Sequence, residues 1–167
     1  MKKILLISDS HSHLDQKLIK HIEAADEVWH AGDIGNYSVC EEIIKLKKLL
    51  AVYGNIDGQE IRTSYPEFNI FNCEKVKVLM THIAGSPSTY NLSVREKIKE
   101  TNPNILICGH SHILKVMYDK KNNLLFMNPG ACGVHGFHNV KTAIKFEIEG
   151  EEIKNLAIIE LGKRTST

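Results

Sequence analysis

A four-residue apolar run, Ile4-Leu5-Leu6-Ile7, stops at Ser8 and gives way to Asp9-Ser10-His11-Ser12-His13. An aliphatic run of that length suits a strand buried on both faces of a sheet, although a short buried helix carries the same pattern. Side chains at i and i+2 of an extended segment point the same way, so Asp9 and His11 can converge on one point. A carboxylate oxygen beside an imidazole nitrogen suits a borderline divalent metal. The same junction recurs along the chain. Glu27 to His30 reads as a strand ending in Gly32-Asp33, and Leu49 to Tyr53 as one ending in Gly54-Asn55-Ile56-Asp57-Gly58. Lys75 to Met80 ends in Thr81-His82, and Asn104 to Cys108 in Gly109-His110-Ser111-His112.

Between these runs, apolar residues at helical spacing predict helices from Leu14 to about Ala24 and from about Ser38 to Lys48. Strand-loop units separated by helices are the pattern of a largely parallel, helix-covered sheet. Glu67 to Phe71 and Lys75 to Met80 read as a hairpin around Asn72-Cys73-Glu74. Ser93-Val94-Arg95-Glu96 has capping-box form and predicts a helix from Ser93 to about Thr101. The last third reads as β-rich: Lys115 to Asp119, Leu124 to Met127, Thr142 to Glu149 and Ile153 to Leu161. The expectation is one α/β domain over residues 1–167, mixed at the start and antiparallel at the end.

Composition narrows the function classes. A formal net charge of +1, with only short basic pairs such as Lys47-Lys48, argues against a dedicated nucleic-acid surface. The first apolar run is too short for a signal-peptide core or a membrane span, so a cytoplasmic chain with no membrane partner is expected. Cys40, Cys73, Cys108 and Cys132 form no C-x-x-C pair and read as reduced thiols. Nine histidines are the unusual feature.

Each junction has an ordinary explanation, since Gly-Asp and Gly-Asn are common turns and a single histidine after a strand is usually a hydrogen-bonded loop residue. Two imidazoles two residues apart at a strand end, as in Gly-His-Ser-His, rarely serve packing. Open α/β sheets gather ligands beyond the carboxyl ends of their strands. Five strand ends carrying Asp9 and His11, Asp33, Asn55, His82, then His110 and His112 therefore read together as one metal site. His30 reads as a hydrogen-bonded packing residue, His21 as structural, and His13 as lying past the strand end. Asp57 is explained by turn stabilisation as well as by catalysis.

The ordered set Asp9-x-His11, Gly32-Asp33, Gly54-Asn55-x-Asp57, His82 and Gly109-His110-x-His112 resembles the calcineurin-like metallophosphoesterases. The short chain and Asn128-Pro129-Gly130 are similar to the small single-domain YfcE-type phosphodiesterase branch. The resemblance implies a metallo-dependent phosphatase-like fold, a four-layer αββα sandwich of two mixed β-sheets flanked by helices. It implies two divalent metal ions per chain. Asp9, His11 and His112 would hold one, Asn55, His82 and His110 the other, and Asp33 would bridge them. It also implies that Asn55 and His82 help to position phosphate, and that a hydroxide shared by the two ions hydrolyses a phosphodiester. The mixed oxygen and nitrogen donors suit Mn, the first expectation, and also Ni, Fe, Zn or Co, with Mg and Ca less well served.

Two positions depart from the resemblance. Ile56 stands where many relatives carry a histidine and the small branch commonly a cysteine, so no general acid is assigned and aryl esters should turn over better than alkyl ones. After Gly130 the chain reads Ala131-Cys132-Gly133-Val134-His135-Gly136-Phe137-His138 in place of the branch's serine and Pro-Arg. His135 or His138 is the candidate replacement for that arginine in substrate binding. Solvent-exposed loop histidines are the plainer explanation. The expected partner is a small phosphoester, with self-association left open. Two alternatives stand beside the phosphodiesterase. One is a phosphomonoesterase or broad-specificity phosphatase. The other is a non-catalytic protein-binding scaffold of the same fold, as the retromer's metallophosphoesterase-like subunit is. Intact ligand positions favour catalysis, and the scarcity of cysteine disfavours a structural zinc site.

Overall fold

The computed structural model describes residues 1–165; Ser166 and Thr167, which the expected domain includes, lie outside the described residues. Ten strands and four helices follow in chain order. The first half contains β1 (Lys2–Ile7), α1 (Gln16–Ala24), β2 (Glu27–His30), α2 (Ser38–Leu46), β3 (Lys48–Ala51), α3 (Gln59–Ser64), β4 (Phe68–Cys73) and β5 (Val76–Thr81). The second contains α4 (Leu92–Thr101), β6 (Ile105–Ile107), β7 (Leu114–Asp119), β8 (Leu124–Pro129), β9 (Val140–Glu149) and β10 (Glu152–Lys163).

The strands form two five-stranded sheets, ordered β10-β9-β1-β2-β3 and β4-β5-β6-β8-β7. In the first, β1, β2 and β3 are parallel, with Leu6 opposite Trp29 and Trp29 opposite Leu50, while β9 runs antiparallel to β1. In the second, β5, β6 and β8 are parallel, and β4 and β7 pair antiparallel at the edges. The expected antiparallel end is therefore corrected in one respect. β7 and β8 do form a hairpin, but β8 then lies parallel to β6, with Phe126 opposite Leu106. Local alternation cannot report the direction of a partner strand distant in sequence.

Three apolar clusters produce four layers. Leu6, Trp29, Met80, Ile107, Ile144 and Phe146 belong to the cluster between the sheets. Leu5, Ile7, Leu18, Ile22 and Ile43 join the first sheet to α1 and α2. Leu79, Val94, Ile98 and Leu106 join the second sheet to α4. Alternate residues of β1 thus feed different clusters, which is why the run is apolar throughout. Burial of each such Leu or Ile stabilises the fold by about 1.5–3 kcal/mol. This is the expected αββα sandwich.

Helix starts needed the structure. Asp15 caps α1 by accepting from Lys17 N at 2.8 Å, so the helix begins after Leu14 rather than at it. Its other oxygen takes the buried Lys141 ammonium at 2.7 Å, tying the first loop to β9. The capping-box expectation for α4 is corrected: Asn91 caps it, accepting from Val94 N, and Ser93 lies inside the helix. The short α3 had no expectation because its six residues bury a single aliphatic side chain, Ile61. Among the described residues no helix is long and apolar enough to cross a membrane.

Candidate metal centre

All six parallel strands point their carboxyl ends toward one edge of the sandwich. The loops after β1, β2 and β3 bring Asp9 and His11, Asp33, and Asn55; those after β5 and β6 bring His82, His110 and His112. The seven expected ligands therefore meet, drawn from both sheets. Two donor groups emerge, Asp9 with His11 and His112, and Asp33 with His82 and His110. Asn55 joins the second, its Oδ1 lying 3.0 Å from His110 Nδ1. Asp33 Oδ2 faces both groups, 3.5 Å from His11 Nε2 and 3.2 Å from His82 Nε2.

The backbone is shaped for this convergence. Asp9 (φ 54°), His11 (44°), Asp33 (53°), His110 (69°) and His112 (60°) all adopt left-handed conformations. Asp and His tolerate that region better than most residues, yet each such position carries strain that the surroundings must hold. Glycine permits the close approaches. A Cβ on Gly109 would sit 2.0 Å from Ser8 Oγ, and one on Gly54 would sit 2.1 Å from Asp33 Oδ1.

Neighbouring hydrogen bonds aim the donors. Asp9 Oδ2 accepts from Ser8 Oγ (2.6 Å) and His110 N (3.1 Å), which leaves Oδ1 for the site. Asp33 Oδ1 accepts from Ile56 N at 3.0 Å, leaving Oδ2. His82 Nδ1 donates to the Ala31 carbonyl at 2.7 Å, so its Nε2 presents a lone pair. Asp9 Oδ1, His11 Nε2 and His82 Nε2 are buried and have no hydrogen-bond partner among the described residues. Orphaned buried polar atoms are costly, and three of them converging is an arrangement that a bound cation would satisfy. Asp9 Oδ1 to His112 Nε2 (3.1 Å), Asp33 Oδ2 to His82 Nε2 and Asn55 Oδ1 to His110 Nδ1 have similar separations. Two ligand atoms on a shared ion at about 2.1 Å are about 3.0–3.4 Å apart, so the donor set fits divalent metal.

Electrostatics agree at Asp9, Asp33 and His11 and oppose ligation at His82 alone among these four. Burial raises the Asp9 carboxyl, but His112, Ser8 and His82 outweigh it and hold the group below its ordinary value. Asp33 behaves likewise, with His82 the main opposing partner. Burial lowers His11, keeping it neutral and able to ligate. At His82 burial also acts downward, but Asp33 and Asp9 prevail and raise it.

Several supports were not legible in the sequence. Arg62 on α3 donates to the carbonyls of Asp57 (2.6 Å), Gly54 (3.3 Å) and Asn55 (3.2 Å), gripping the loop that presents Asn55. Asn128 Nδ2 donates to Gly109 O (2.9 Å) and Ser111 Oγ (3.0 Å), bracing the His110-Ser111-His112 loop. Asp57 accepts from the backbone N–H groups of Ile34, Gly35 and Gly54, so of its two readings the turn-stabilising one describes its contacts. His135 lines the cleft, its ring 4.8 Å from that of His11. His138 donates from Nε2 to Gly133 O and stands edge-on to His112, 5.1 Å between centroids. His13 belongs to neither donor group.

His30 packs beneath the site. Gly32 N donates to its Nδ1 (3.2 Å), so Nε2 donates to Ser10 Oγ (2.8 Å), and the Ser10 hydroxyl donates to Ile34 O (3.0 Å). Burial pushes this imidazole from 6.5 down to about 4. Between those values the unfolded chain binds a proton that the folded protein does not, so stability falls as pH falls from 6.5 to 4. The lowered pKa corresponds to on the order of 3 kcal/mol across that window. In urea unfolding of chelator-treated protein, His30→Gln is expected to lose stability less steeply than wild type between pH 7 and 5. Equal slopes would contradict the assignment.

A two-sheet sandwich with oxygen and nitrogen donors gathered at the strand ends defines a candidate divalent-metal site on an α/β scaffold. The calcineurin-like phosphoesterase superfamily domain matches residues 1–151, and the chain belongs to that family. A probable metallophosphoesterase of Methanocaldococcus jannaschii is 26% identical over 161 residues, covering 93% of this chain and 80% of that one. An archaeal phosphodiesterase of known structure is 26% identical with a TM-score of 0.73, covering 94% and 99% of the two chains. Vps29 from Entamoeba histolytica, solved with zinc, has a TM-score of 0.74 at 16% identity, covering 96% and 99%, a likeness of fold alone.

Proposed function

We propose that this protein is a phosphodiesterase that works with two divalent ions, manganese first, on a small phosphoester in the cytoplasm. The observation that carries the reading is the convergence of the orphaned Asp9 Oδ1, His11 Nε2 and His82 Nε2 among six candidate donors, with Asn55 beside His110. Asp9, His11 and His112 would hold one ion, Asn55, His82 and His110 the other, with Asp33 between them. When bound, such a pair activates water at neutral pH and stabilises the charge that develops on phosphoryl oxygens.

The chain's own residues determine the rest. Asn55 offers a neutral oxygen and adds no charge that would repel phosphate. The Ala31 carbonyl holds His82 in the tautomer that leaves Nε2 free. Ile56 lines the cleft and has no proton to give a leaving group, so good leaving groups should be favoured. The cleft of about 490 Å³ over the donors is lined by no Lys or Arg, which suits a diester monoanion better than a monoester dianion. Similarity to the archaeal phosphodiesterase supports the same choice. Four buried free thiols support a reducing compartment. The small net charge supports a small substrate over nucleic acid.

The test is hydrolysis of bis-p-nitrophenyl phosphate beside p-nitrophenyl phosphate, after chelation and reloading with Mn, Ni, Zn or Mg. The expected result is manganese-dependent cleavage of the diester at least about tenfold faster, with two ions bound per chain. Cleavage of the monoester alone would select the phosphatase. Two bound ions without turnover of either would select the protein-binding scaffold.

A further inference from the structure

The loop after β8 carries an aromatic ring with no packing role. Phe137 is fully exposed, yet its loop is fastened on several sides. Gly133 N donates to Asp9 O at 3.2 Å. Arg164, just beyond β10, donates to the carbonyls of His138 (3.0 Å) and Val134 (3.3 Å). Gly136 lies against a candidate ligand: a Cβ there would come 2.2 Å from His112 Nδ1, and its φ of +127° suits only glycine. The ring is therefore presented by an anchored loop, as preorganised aromatic contacts are.

Phe137 lines the cleft that holds the metal ligands, together with Ile113 (65% exposed) and Ile56 (47% exposed). Three exposed apolar side chains around one polar site gain from contact only with another apolar surface. A charged arm, such as a second phosphate, would meet no Lys or Arg among the residues lining this cleft.

We propose that Phe137, with Ile113, seats the non-leaving arm of the substrate, and that this arm is a neutral, flat aromatic group, as in an aryl or nucleoside diester. This rests on the phosphodiesterase reading above and names the substrate class of that site.

The experiment compares phenyl p-nitrophenyl phosphate with methyl p-nitrophenyl phosphate on the manganese-loaded protein. In both, a water oxygen bonds to phosphorus, the bond to nitrophenolate breaks and the water's protons pass to solvent. The reacting atoms are the same and only the retained arm differs. The phenyl ester is expected to have a kcat/KM about tenfold higher, carried by KM, of the order found for stacking on an aromatic side chain. Phe137→Ala should bring the ratio to about one, and Phe137→Tyr should keep it. In NMR, diphenyl phosphate should shift the Phe137 ring signals and dimethyl phosphate should not. A ratio near one in wild type, or an undiminished ratio in Phe137→Ala, overturns the inference while leaving the phosphodiesterase standing. Hydrolysis of p-nitrophenyl phosphate but of neither diester overturns both.

Discussion

Asp33→Asn is expected to lower kcat/KM on bis-p-nitrophenyl phosphate by about 10³-fold or more, a loss of about 4 kcal/mol of transition-state stabilisation. Asp33 Oδ2 stands between a histidine of each donor group, 3.5 Å from His11 and 3.2 Å from His82, nearer to both than Asp9 Oδ1 is at 3.9 and 3.8 Å. An amide keeps the shape and removes the charge. On the proposed two-ion reading, the ions would lose their shared anionic ligand, and with it the capacity to activate water. Metal content after dialysis should fall below two ions per chain. The metal-free variant should unfold at a slightly lower temperature than wild type, because His82, which holds the Asp33 carboxyl below its ordinary value, would face a neutral amide. An Asp33→Asn protein that retains two ions and full activity would remove Asp33 from the bridging role.

Gly54→Ala should damage the site severely. The new Cβ would lie 2.1 Å from Asp33 Oδ1 and 2.3 Å from Asp33 N, and a backbone nitrogen cannot swing aside as a flexible side chain can. The β2 and β3 loops must separate, at a cost of about 1–3 kcal/mol for overpacking a close contact. Asp33 and Asn55 move with them, so metal affinity and turnover should both fall, turnover by about 10²-fold for a displacement near 1 Å. Gly58→Ala is the control. It is four residues away with open space around a Cβ, and as the N-cap of α3 it should lose less than about 1 kcal/mol and keep its metal. Denaturant unfolding with metal titration separates the two; equal behaviour would refute the close-approach argument.

The strand ends and their chemistry were legible from the chain alone because both are local properties. An apolar run broken by Asp-x-His, Gly-Asp, Gly-Asn or Gly-His-x-His is written in consecutive residues, and β2 was bounded at Glu27 and His30 on that pattern. The amphipathic spacing of Leu18 and Ile22 likewise marked α1. What pattern could not supply was anything that depends on partners distant in sequence. The parallel pairing of β8 with β6 makes it a sixth strand delivering a loop to the site, and this follows from sheet assembly. Arg62 gripping the Asn55 loop and Asn128 bracing His110 to His112 are ordinary polar residues until the fold brings those carbonyls to them. The cap of α4 went to Asn91 over Ser93 because its side chain, one residue before the helix, reaches Val94 N. Residue identity and spacing thus specified which donors the protein carries and at which strand ends. Their left-handed backbones, the tautomer of His82 and the anchored loop that carries Phe137 were settled by tertiary contacts. Those states are favoured only when contacts across both sheets outweigh their local strain.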